Sequence, residues 1–100
     1  MLKIDLKITK HCIQTEAKKK YEALISKYFK KNTPEAEKED CLKKIDALKF
    51  FLSNADINNL RSKYPELSGQ TEIKACLCFP ASYKEMYIET IDKKIIPEFS

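Results

Sequence analysis

Cys76 and Cys78, separated by one residue, are the arrangement in this sequence best suited to chemistry. On an extended strand, residues i and i+2 point to one face, so both thiols would project together. Thiolates so placed suit a soft metal or Zn²⁺, and His11 with Cys12 could complete a tetrahedral set. The spacing departs from the paired, wider gaps of structural zinc sites. The plainer reading is that the cysteines are small apolar fillers under a helix or at a dimer seam. No Cys-x-x-Cys is present, so dithiol redox catalysis has no motif. No resident cofactor is expected.

His11 is the sole histidine. Any Ser/His/Asp or Cys/His mechanism would have to pass through it. Its neighbour Cys12 would face the opposite way on a strand. Glu35, Glu37, Glu39 and Asp40 form an acidic cluster, but they fall where the dipole of an opening helix favours them. A single glycine excludes the glycine-rich loops that cradle phosphates. With so few groups able to act as acid, base or nucleophile, a non-catalytic chain is expected.

A second chemical feature is basic. Lys10, Lys18, Lys19, Lys20, Lys27, Lys30 and Lys31 hold the positive excess of a chain with net charge +4. Such a stripe attracts phosphate backbones by counterion release. Lysine lacks the bidentate fork that reads bases, and Arg61 is the only arginine. Tyr21, Tyr28 and Phe29 are expected on the buried side, where they offer no stacking platform. A solvated helix face is the plainer reading, with nucleic-acid binding the alternative.

The elements that would position these groups follow from hydrophobic periodicity. Residues 2–9 alternate, with Leu2, Ile4, Leu6 and Ile8 on one side, which predicts a half-buried strand. Residues 14–31 place Ala17, Tyr21, Leu24, Ile25 and Tyr28 at helical spacing, with Thr15 as the expected cap. Thr33-Pro34-Glu35 predicts the opening of a second helix that carries Cys41, Ile45, Leu48 and Leu52 inward and ends near Asn54. Asn54 or Asp56 caps a short third helix that stops at Tyr64-Pro65, and Gly69 marks a turn. Residues 71–79 alternate again, with Ile73, Ala75, Leu77 and Phe79 on the inner face. Ser82-Tyr83-Lys84-Glu85 matches a capping box, which predicts a last helix carrying Ile88, Ile91 and Ile95 and stopped by Pro97.

The expected fold is therefore one α+β domain over residues 1–100, in the order β-α-α-(α)-β-α. A two-stranded sheet is marginal and leaves open edges, which predicts pairing between two copies to give four strands. Cys76, Cys78, Tyr83, Tyr87 and Phe99 are the expected interface residues, because tyrosine and apolar side chains suit seams. Lys3, Asp5 and Lys7 interrupt the place of a secretory leader, and no apolar run reaches the length of a membrane span. Together these readings describe a small cytoplasmic interaction or regulatory module of a bacterium or phage. Its expected partner is a protein, a second copy of the chain included, and not a membrane.

Overall fold

The computed structural model describes residues 1–99. Its elements are β1 (Leu2–Ile8), α1 (Ile13–Tyr28), α2 (Glu35–Asn54), α3 (Ile57–Lys63), β2 (Ile73–Phe79), β3 (Tyr87–Glu89) and β4 (Lys94–Ile95). A 3₁₀ turn, Pro65–Ser68, joins α3 to β2, and a second, Tyr83–Glu85, leads into β3. The strands form one antiparallel sheet in the order β1-β2-β3-β4.

The first strand behaves as its alternation dictates: Ile4, Leu6 and Ile8 are buried and Lys3, Asp5 and Lys7 exposed. It pairs along its whole length with β2, from Leu2 opposite Phe79 to Ile8 opposite Ile73. One apolar row then crosses all four strands, with Ile4 opposite Leu77, Leu77 opposite Ile88 and Ile88 opposite Ile95. All four side chains are at most 1% exposed. Ile13, Ala17 and Leu24 of α1, Cys41, Ile45, Ala47, Leu48 and Phe51 of α2, and Leu60 of α3 close over that face.

The helix ends differ in detail from expectation. Cys12, not Thr15, occupies the cap of α1, which ends at Tyr28 instead of running to Lys31. Phe29 is 75% exposed, so it does not belong to the buried side. Pro34 takes the cap position of α2. The Thr33 hydroxyl instead donates to the Lys27 carbonyl at 2.8 Å, satisfying a carbonyl of the last turn of α1. Asp56 does cap α3, its carboxylate accepting from the Asn59 N–H at 3.0 Å.

The expected last helix does not form. Ser82 makes no side-chain cap hydrogen bond, and the segment after Met86 is the β3–β4 hairpin, closed by the Thr90 N–H donating to the Lys93 carbonyl at 2.9 Å. The two-stranded expectation is corrected with it: one chain supplies all four strands, so a sheet of this size requires no second copy. The physical reason is the vacant edge of β2. Pairing with β3 satisfies backbone donors and acceptors there and adds Ile88 and Ile95 to the apolar row, which a helix at the same place would not do. Ile91, expected on the inner face of a helix, lies fully exposed at the hairpin tip. The C-terminal segment is strapped down, not free: Phe99 bridges Ala55, and the Asp56 N–H donates to the Glu98 carbonyl at 2.7 Å.

Candidate functional site

Because the helices cover one face of the sheet, the alternate residues of every strand form a second, open face. Its rows follow from the register. Asp5, Cys76, Glu89 and Lys94 stand opposite one another across the four strands, and Lys3, Cys78 and Tyr87 form the adjacent row. The two sulfurs are 3.7 Å apart, which places both thiols on this face as their spacing requires. Cys78 is fully buried although it faces away from the helices, and Cys76 is half-buried. At the rim, the Tyr87 hydroxyl donates to the Met1 sulfur at 3.6 Å, and the Lys94 ammonium sits 4.3 Å from the Tyr87 ring centre.

A groove of about 750 Å³ runs over this face. Asp5, Lys7, Lys74, Cys76 and Glu89 line it from the sheet, and Glu16, Lys19 and Lys20 from α1. Lys7 pairs with Glu72 at 3.1 Å and Lys19 with Glu16 at 3.7 Å. Lys20 and Lys74 have no acidic partner within salt-bridge distance among the described residues. Lys7 and Lys74 are also direct cross-strand partners, which places two like charges side by side.

The cysteines divide by environment. Burial foremost, then the Cys78 thiol and the Asp5 carboxylate, push the Cys76 thiol up to about 12, so near neutral pH it stays protonated. Burial also pulls Cys12 upward and is the largest single influence on it. Hydrogen bonds from Thr15 and Gln14 and the Arg61 charge together outweigh that pull and bring Cys12 below the ordinary thiol value. Since the thiolate is the nucleophile, iodoacetamide at pH 8 is expected to label Cys12 first. Cys76 should react appreciably only as pH approaches its raised value, and buried Cys41 and Cys78 only on unfolding. Mass spectrometry of peptides after timed labelling checks this order, and equal rates at Cys12 and Cys76 would refute it.

The structure sorts the residues that sequence reading singled out. Cys76, Cys78 and Tyr87 are brought together on the open face. Tyr83 and Phe99 are not with them: they stack about Phe50 at 5.7 and 5.3 Å, where α2 meets the end of the sheet. His11 and Cys12 lie beyond Ile8, at the end of β1 paired with Ile73, so Cys76 and Cys78 lie along β2 away from them. Among the described residues no group of three or more His, Cys, Asp or Glu side chains is arranged to hold a metal ion. Of the lysine stripe, only Lys19 and Lys20 reach the groove. Lys27 pairs instead with Glu37 at 3.8 Å across the α1–α2 turn, where Lys30 also lies. Lys7, Lys74, Asp5 and Glu89, which complete the groove, were missed as site residues. Alternation showed that they face solvent, but only the register shows that they are neighbours.

No helix among the described residues is long and apolar enough to cross a membrane. A protein-family model matches residues 2–92. An uncharacterized protein of Archaeoglobus fulgidus is 36% identical over 62 residues, covering 62% of this chain and 72% of that protein. An origin in a bacterium or phage draws no support from that relative. No solved structure matches.

Proposed function

We propose that this chain, which belongs to the family matched over residues 2–92, is a small non-catalytic module that binds a protein partner on the open face of its sheet. The observation that carries this reading is the one-sided sheet, whose uncovered face forms a groove with two lysines, Lys20 and Lys74, that have no acidic partner among the described residues. An aromatic ring and half-buried sulfur suit the centre of a recognition surface, and the mixed charge around them suits its polar rim. The raised pKa of Cys76 removes the one groove thiol from nucleophilic work near neutral pH. A second copy of the chain is one partner to test, since β1 pairs with a strand on one side only.

The test is capture from the native host with wild-type bait and with a Lys20→Glu/Lys74→Glu bait, together with sedimentation of both proteins. A partner, or a self-association, present in wild type and lost in the variant supports the reading. An identical set of partners and an identical oligomeric state for both baits overturn it. Nucleic acid is the second reading, favoured by the convergence of Lys7, Lys19, Lys20 and Lys74 on one groove. It requires binding of a short oligonucleotide that weakens steeply with salt, because released counterions drive such association.

A further inference from the structure

We propose that Cys76 and Cys78 together bind one Cu(I) ion as a pair of thiolates on the open face of the sheet. The binding-module reading does not depend on this site. The two sulfurs lie 3.7 Å apart on β2, which pairs on both sides, so the strand presents them as a preformed pair. With metal–sulfur bonds of about 2.3 Å this spacing corresponds to an S–metal–S angle of roughly 110°, so one ion can bridge the pair either with a third sulfur donor or, in the near-linear arrangement of two-coordinate Cu(I), after the half-buried Cys76 side chain rotates to open the pair.

The choice of ion follows from what surrounds the pair. Zn²⁺ in a structural site needs four donors, and among the described residues no group of three or more His, Cys, Asp or Glu side chains is arranged to supply them. Cu(I) is selected by soft sulfur ligands and is satisfied by two or three of them. A further soft donor, the Met1 thioether, touches the hydroxyl of Tyr87, the cross-strand partner of Cys78. Full burial of Cys78 and half-burial of Cys76 disfavour a hard, strongly hydrated cation and suit a soft one of single charge.

Charge agrees with this. Asp5 and Glu89 flank Cys76 in register and make the site attractive to a cation. Burial first, then the Cys78 thiol and the Asp5 carboxylate, keep the Cys76 thiol protonated while no cation is present. Binding therefore releases two protons to solvent: one Cu(I) and two thiols give a bis-thiolate of charge −1 and two protons. Lys3, opposite Cys78, offsets the remaining negative charge. No electron is transferred in the step.

The experiment titrates the reduced full chain with Cu(I), without oxygen, against a chromogenic Cu(I) chelator. The expected result is one Cu(I) per chain, with an X-ray absorption spectrum showing only sulfur neighbours. Cys76→Ser and Cys78→Ala should each weaken binding by more than about 100-fold, beyond what loss of an outer-shell partner produces. Cys12→Ser should leave it unchanged. Circular dichroism of each variant shows that it is folded, and if Cys78→Ala is not, Cys76→Ser with the absorption spectrum decides. Cu(I) affinity unchanged in Cys76→Ser, no competition with the chelator, or Zn²⁺ bound as tightly as Cu(I) would each overturn the proposal.

Discussion

Leu77→Asp is expected to abolish folding. Leu77 is fully buried at the middle of the apolar row, with Ile4 on one side and Ile88 on the other. A carboxylate there would lose its hydration with no cation in reach, because no polar or charged residue is buried among the described ones. An unpaired buried charge costs about 3–5 kcal/mol, and the missing leucine removes about 2–5 kcal/mol of packing. Together these rival the 5–15 kcal/mol that holds a domain of this size. Leu77→Ala keeps the second loss only, so it should fold with stability lowered by about 2–5 kcal/mol. Three residues earlier lies the other face of the same strand. Lys74→Glu, there, should change stability by no more than about 0.5 kcal/mol, and in the favourable direction, since it removes a like-charge neighbour of Lys7. Urea denaturation followed by circular dichroism separates the three variants. A cooperative transition for Leu77→Asp close to the wild-type midpoint would contradict the one-sided sheet on which the site depends.

Gly69→Ala should be the most damaging substitution outside the core. Gly69 adopts φ +89°, in the left-handed region that side chains avoid. A Cβ placed on it would lie 2.6 Å from the carbonyl carbon and oxygen of His11 and 2.8 Å from the His11 nitrogen. Those atoms are backbone and cannot rotate away. The left-handed conformation alone costs alanine about 1–2 kcal/mol. Separating the two segments adds to it, for an expected loss of about 2–4 kcal/mol and a fall in Tm of at least about 10 °C. The contact joins the turn entering β2 to the link between β1 and α1, so it helps hold the register that aligns Asp5 with Cys76. Differential scanning calorimetry measures the shift. A Tm within about 2 °C of wild type would show that the two segments separate freely.

His11 thus matters to this fold through its backbone, at the place where Gly69 approaches, and sequence reading weighed only its imidazole. The roll of lysines was similarly incomplete. Lys18, Lys30 and Lys31 weigh the same as Lys19 and Lys20 in any count of charge, yet the 100° turn per residue of α1 sets Lys18 apart from the groove, and Lys30 and Lys31 lie beyond the helix end at Tyr28. Lys7 and Lys74, far apart in the chain, become partners across two strands.

Local pattern determined five of the seven elements by itself. The alternation of Leu2 to Ile8 and of Ile73 to Phe79, the stripes of α1 and α2, and the Asp56 cap with the Tyr64-Pro65 stop are all short-range signals that the fold obeys. The same alternation placed Cys76 and Cys78 on one polar face. Residues 83–95 carry two periods at once: Ile88, Ile91 and Ile95 fit a helix, and Tyr87-Ile88-Glu89 fits a strand. Only tertiary structure could choose between them, because the deciding partner is the free edge of β2, and hydrogen bonds to that edge have no counterpart in the local sequence. The neighbours of the two thiols depended on the same choice: Glu89 and Tyr87 reach Cys76 and Cys78 only because this segment became a strand.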